Sequence, residues 1–189
     1  MKQHLLFVHS AGNQGPDEGS DRLLAYLRSA LDVYCEIHAP RMPDPDNPRY
    51  ELWKQCILEA LRSIEGEVIL VGHSLGGSVL LKLLSEEGFE RPIKTLFLVA
   101  TPFWGMKDWE IEEYMLPLDF EAHLPNIAHV YLYHSREDEW VPFSHMAQYA
   151  KKLPAAHVRS VSGGEHEFFH GLPALAQDLY NVLKHGRSI

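Results

Sequence analysis

Residues 67–84 read Glu67-Val68-Ile69-Leu70-Val71-Gly72-His73-Ser74-Leu75-Gly76-Gly77-Ser78-Val79-Leu80-Leu81-Lys82-Leu83-Leu84. An apolar run rich in β-branched residues enters a glycine-bracketed turn, which opens into a segment with apolar residues at helical spacing. A continuous apolar run suits a strand covered on both faces, as in a parallel sheet. Gly72-His73-Ser74-Leu75-Gly76 matches G-x-S-x-G, the signature of a sharp strand-to-helix turn that holds its serine in a strained, exposed position. A side chain two residues before or after the serine is expected to collide inside that turn, hence glycine at both places. The helix start behind the serine offers free N–H groups and a positive dipole end to a developing oxyanion. Five residues alone are weak evidence, but the strand before them and the helix after them supply the context the motif requires.

The same alternation runs along the whole chain. Candidate strands lie at 4–8, 33–38, 67–71, 94–99, 129–134 and 157–161, and candidate helices at 20–31, 50–64, 75–85, 144–153 and 172–185. Alternating βαβα order predicts an α/β fold with a parallel sheet, helices on both faces and right-handed crossovers. The proline-rich stretch 41–49 must be loop. Residues 101–126 form an irregular insert, rich in Trp, Met, Tyr and acids, with room for one or two short helices. With no repeat and no linker, residues 1–189 are expected to form a single domain.

Two polar loops follow later strands. Asp138 sits where the chain leaves the carboxyl end of the fifth strand, the edge at which such sheets bind ligands. Glu137 and Glu139 beside it are expected only to solvate the loop. Gly163-Gly164-Glu165-His166 follows the last strand, and a glycine-rich loop can carry a histidine over the sheet edge toward Ser74. The chain order Ser74, Asp138, His166 is that of one class of Ser-His-Asp sites, with Ser74 as nucleophile, His166 as base and Asp138 as the acid that orients it. His170 is the alternative base. Of the two backbone donors an oxyanion hole needs, one is expected at Leu75 and the other in the loop after the first strand, at Ala11 or its neighbour Ser10.

His166-Glu-Phe-Phe-His170 also fits the zinc pattern H-E-x-x-H, which needs a helix and a third ligand. Glycines before it and Pro173 after it argue against the helix, and the continuation that would supply a third ligand is missing. Most of the 12 histidines, including His4, His38 and His129, lie at strand positions and read as packing or surface residues. No metal site and no cofactor is expected.

Composition narrows the classes. The chain has 189 residues and a formal net charge of −9, from 17 basic against 26 acidic residues, with no basic stripe for nucleic acid. Two cysteines, Cys35 and Cys56, are too few for a disulfide scaffold and read as thiols of a reducing compartment. The opening apolar run is short for a signal peptide, and no stretch approaches a membrane span. A cytoplasmic location is therefore expected.

The elbow, the order of acid and base, the Met42-Pro-Asp-Pro45 loop ahead of a helix with Trp53, and the short insert resemble the α/β-hydrolase superfamily over the whole chain. Within it the chain resembles small serine hydrolases of the retinoblastoma-binding protein nine and YdeN-like type. That resemblance implies about six parallel strands, a minimal cap, and hydrolysis of small carboxyl esters through an acyl-enzyme. A thioesterase or peptidase using the same triad, or a catalytically weak binding protein on the same fold, would carry the same residues.

Overall fold

The structure, a computed structural model, describes residues 2–86 and 92–185. Six strands, β1 (Gln3–Val8), β2 (Cys35–His38), β3 (Val68–His73), β4 (Ile93–Val99), β5 (His129–Ser135) and β6 (His157–Val161), form one all-parallel sheet in the order β2-β1-β3-β4-β5-β6. The helices are α1 (Asp21–Leu31), α2 (Tyr50–Arg62), α3 (Leu75–Glu86), α4 (Phe120–His123), α5 (Ser144–Lys152) and α6 (Pro173–His185).

Strand alternation divides the core in two. Leu6, Val8, Val68 and Leu70 pack toward α2, α3 and α5, while Leu5, Phe7, Ile69 and Val71 pack toward α1 and α6. This two-sided burial explains why the central strands read as unbroken apolar runs. The sequence boundaries need small corrections. β2 starts at Cys35, two residues late, because Val33 lies exposed in the turn that closes α1. β3 runs on to His73, so the strand itself delivers Ser74.

The strand order reverses direction between β1 and β3, and their carboxyl ends lie side by side at that switch. Such a crevice is where open parallel sheets bind ligands. The insert between β4 and β5 holds one 3-10 turn, Glu112–Tyr114, and α4. Glu113 ties it down by accepting the Tyr50 N–H at the start of α2 (2.9 Å), and Lys82 donates to the Glu113 carbonyl (2.9 Å).

Candidate active site

Ser74 has φ +52°, a left-handed conformation that costs a non-glycine residue free energy and persists only where surroundings enforce it. Its N–H donates to the Val99 carbonyl (2.8 Å) and its carbonyl accepts from Gly77 N–H (3.0 Å), pinning the turn between β4 and α3. The glycines are steric necessities. A Cβ on Gly72 would sit 2.5 Å from Gly77 Cα, inside the turn. One on Gly76 would meet the carbonyls of Val8 and His9, the latter at 2.5 Å. That second clash is not within the turn, as the motif alone suggested, but between α3 and β1. Gly77, which the motif does not include, lies against the Thr101 side chain.

The loop after β5 is folded around Asp138. Its carboxylate is fully buried and accepts the N–H groups of Trp140 (3.0 Å) and Val141 (2.8 Å). His134, buried at the end of β5, donates Nε2–H to the Val141 carbonyl (2.8 Å) and lies 3.3 Å from Asp138 Oδ2. Burial alone would raise the Asp138 carboxyl, but its hydrogen bonds with His134, His166 and Val141 outweigh that and hold it well below the usual carboxylate range. His166 Nδ1 lies 2.8 Å from Asp138 Oδ2 and 3.0 Å from Oδ1. A carboxylate can only accept, so Nδ1 carries the proton and Nε2 of the neutral ring carries the lone pair.

Three further contacts set His166. Glu139 Oε2 accepts its N–H (3.2 Å), Glu137 Oε2 accepts Gly163 N–H (3.1 Å), and His73 donates Nε2–H to its carbonyl (2.8 Å). Glu137 and Glu139, read from sequence as loop solvation, thus clamp the loop that carries His166. Burial pushes His73 down to about 3, so it is neutral. With its proton committed at Nε2, its Nδ1 accepts from the Ser20 hydroxyl (2.8 Å). Ser20 Oγ in turn takes the Ser10 N–H (2.8 Å) and lies 3.0 Å from Ser10 Oγ. A buried chain of hydrogen bonds therefore joins the loop after β1 to the loop after β6.

That chain bears on the backbone donors. Ser10 N–H is committed to Ser20, and Gly12 N–H donates to Pro45 O (2.7 Å). Between them, the Ala11 N–H has no hydrogen-bond partner among the described residues. Leu75 is the first residue of α3, and its N–H has no partner inside the helix.

Ser74, Leu75, Ser10, Ala11 and His166 line one cavity of about 470 Å³, within the range of small-molecule sites. Its other walls are mostly apolar: Pro48, Pro102, Trp104, Trp109, Ile111, Tyr114, Trp140 and Val141. Trp104 packs on Trp109 (5.3 Å) and Tyr114 (5.1 Å), and its indole N–H donates to Ser78 (2.9 Å). Phe103 turns away, stacking edge-on against Tyr149 (4.9 Å). Trp140, in the acid loop, is a wall residue that sequence reading missed; only its place beside Asp138 hinted at it. Glu167 is the one acid of the lining, and burial raises its carboxyl.

His170 is exposed and does not line the cavity. Residues 166–170 form turns rather than a helix, with Phe168 at φ +51°, so His166 and His170 do not share a helical face as H-E-x-x-H requires. Spacing along the chain shows no metal site, but the fold brings one candidate group together elsewhere. Strand pairing brings His4, Glu36 and His38 together, with donor atoms within 4.8 Å of one another. Separation along the chain concealed that group.

A family model described as serine hydrolase matches residues 27–177. YdeN of Bacillus subtilis (strain 168), which carries a hydrolase name, is 28% identical over 150 residues, 75% of each chain. The crystal structure of the ydeN gene product superposes with TM-score 0.80 at 19% identity, covering 97% of this chain and 100% of that one. Est1E from Butyrivibrio proteoclasticus superposes with TM-score 0.72 at 14% identity, over 97% of this chain and 88% of that one, a likeness of fold alone. The family match spans most of the chain, and the sheet order and structural neighbours agree with it: the chain belongs to the serine hydrolase family and has the α/β-hydrolase fold.

Proposed function

We propose that the protein hydrolyses small carboxyl esters through a Ser74–His166–Asp138 triad and an acyl-enzyme, with residues 1–189 acting as one catalytic domain. The observation that carries this reading is the contact of His166 Nδ1 with the Asp138 carboxylate (2.8 Å). Asp138 accepts the Nδ1–H hydrogen bond, which leaves a basic Nε2 on a ring that lines the same cavity as Ser74. His166 removes the Ser74 hydroxyl proton as Oγ attacks the acyl carbonyl carbon. The carbonyl oxygen gathers negative charge and is held by the N–H groups of Leu75 and Ala11. His166 then gives its proton to the departing alkoxide, and the acyl group stays on Ser74. Water enters, His166 takes one of its protons, and the acid is released with the Ser74 hydroxyl restored. Asp138, held ionised, stabilises the imidazolium at each transfer. The free thiols of Cys35 and Cys56 fit a reducing, cytoplasmic setting. No helix among the described residues is long and apolar enough to cross a membrane.

The cavity favours small acyl groups. Its walls are mostly apolar, but the insert is short and α4 spans only four residues, so little among the described residues is available to build a long tunnel over Ser74. The test is a p-nitrophenyl ester series from acetate to palmitate with the wild type and Ser74→Ala. Acetate and butyrate should be cleaved best, with a burst of p-nitrophenol that Ser74→Ala abolishes. A kcat/KM that climbs beyond about eight carbons, at the ~0.8 kcal/mol expected per buried CH₂, would refute the short-acyl reading. Thioester or peptide turnover exceeding ester turnover would move the substrate class while leaving the triad in place.

A further inference from the structure

On the edge of the sheet, away from the cavity, β1 and β2 pair with His4 opposite Glu36 and Leu6 opposite His38. Residues two apart on a strand share a face, and residues in parallel register share one too. Cys35 and Ile37 pack into the core under α1 and α6, so Glu36 and His38 point to the other face, which His4 shares with Leu6. His4 Nδ1 lies 3.0 Å from His38 Nε2 and 3.7 Å from Glu36 Oε2, and His38 Nε2 lies 3.9 Å from Glu36 Oε1. A tetrahedral zinc ion with bonds of about 2.0–2.1 Å holds its donors roughly 3.3 Å apart. The two histidine nitrogens stand close to that value, and with one oxygen of Glu36 the three donors lie within 4.8 Å of one another, near enough for the half-exposed glutamate to close onto an ion.

We propose that His4, Glu36 and His38 form a binding site for one divalent transition ion of the zinc type, with water in the fourth position. Two imidazoles and one carboxylate suit Zn²⁺, Ni²⁺ or Cu²⁺ rather than the oxygen-seeking Mg²⁺ or Ca²⁺. The two histidine side chains keep 25% and 24% of their exposure and Glu36 60%, so an ion can enter from solvent and the glutamate can swing onto it. The ion replaces whatever proton the two ring nitrogens share at 3.0 Å. Its role is to staple β2 to the sheet, because β2 has only four residues and a single neighbouring strand. The site takes no part in the ester chemistry. Among the described residues no other three His, Cys, Asp or Glu side chains bring their donor atoms this close together.

The test uses the full chain, stripped of metal and titrated with ZnCl₂ by calorimetry, with thermal melts alongside. We expect one ion per chain with Kd tighter than about 100 μM, a higher Tm in Zn²⁺ that chelator reverses, and unchanged p-nitrophenyl acetate turnover. His4→Ala and His38→Ala should each weaken binding by at least the roughly tenfold that loss of even an outer partner costs. His129→Ala and His157→Ala, which remove a second histidine pair on β5 and β6 (ring centroids 5.5 Å apart), should leave binding intact. If the site variants fold poorly, Ni²⁺ added to the wild type must broaden the ring signals of His4 and His38 first. Absence of binding, binding that survives His4→Ala and His38→Ala, or broadening centred on His166 would overturn the proposal.

Discussion

His73 occupies the first variable position of the elbow pentapeptide, lies fully buried, and does not line the cavity. Replacing it with alanine tests whether the two loops that flank Ser74 are held by one hydrogen-bonded chain. The His166 carbonyl would lose its donor, a cost of about 1–3 kcal/mol for a buried orphan. The Ser20 hydroxyl suffers less, because it can turn to Ser10 Oγ 3.0 Å away. The vacated ring volume, beside His166 (5.2 Å) and Phe168 (6.0 Å), adds a cavity term of roughly 2–3 kcal/mol, at the lower end for large core truncations. The sum is a loss of about 3–6 kcal/mol in urea denaturation. Misplacing the loops by about 1 Å should also lower ester kcat about 100-fold, with KM little changed. His73→Gln keeps an amide donor for the His166 carbonyl and should recover much of both losses. A stability loss below about 1 kcal/mol with unaltered kcat would show that this chain of hydrogen bonds positions nothing, since even one buried orphan should cost that much.

The remaining predictions concern other parts of the same construction. Gly76→Ala drives a methyl into the Val8 and His9 carbonyls, and backbone cannot yield cheaply; a loss at or above the usual 1–3 kcal/mol of overpacking is expected in urea denaturation, and a neutral effect would mean that α3 is not pressed against β1. Asp138→Asn and His166→Ala should reduce ester turnover by up to about ten-thousand-fold, while His170→Ala changes it little; the opposite ranking of the two histidines would reassign the base. Burial lowers His73 to about 3 and His9 and His145 to about 4, from 6.5. Below pH 6.5 the unfolded chain binds protons that the folded chain refuses, so stability falls as pH drops from 6.5 toward 4, by at most about 3 kcal/mol for each residue. Asp138 adds little to that loss, because above about pH 4 its carboxyl is largely ionised in the unfolded chain as well as in the folded one; its share is lost only at lower pH. Urea midpoints equal at pH 7 and pH 4.5 would contradict neutral buried histidines.

What could be read from sequence was local chemistry. The strands announced themselves because helices cover both faces, leaving Val68–Val71 and Leu96–Val99 apolar throughout. The elbow was legible because its glycines are demanded by contacts within a few residues and by one neighbouring strand. Asp138 and His166 were legible from their loops and order, and they do meet. The supports were not. Glu139 reaches His166 across 27 residues, Ser20 reaches His73 across 53, and Glu113 reaches Tyr50 across 63. Such contacts leave no periodicity, and an acid in a loop looks the same whether it meets water or a backbone N–H. His4, Glu36 and His38 were hidden for the same reason, since only strand register brings them together.

The central claim is that Ser74 is an activated nucleophile. Treating the full chain with a fluorophosphonate and weighing the intact protein and its peptides tests this most directly. One adduct per chain, on the peptide bearing Ser74, is expected, with none on Ser74→Ala and greatly slowed labelling of His166→Ala. An adduct on another residue, or labelling of Ser74→Ala at the wild-type rate, would contradict the account.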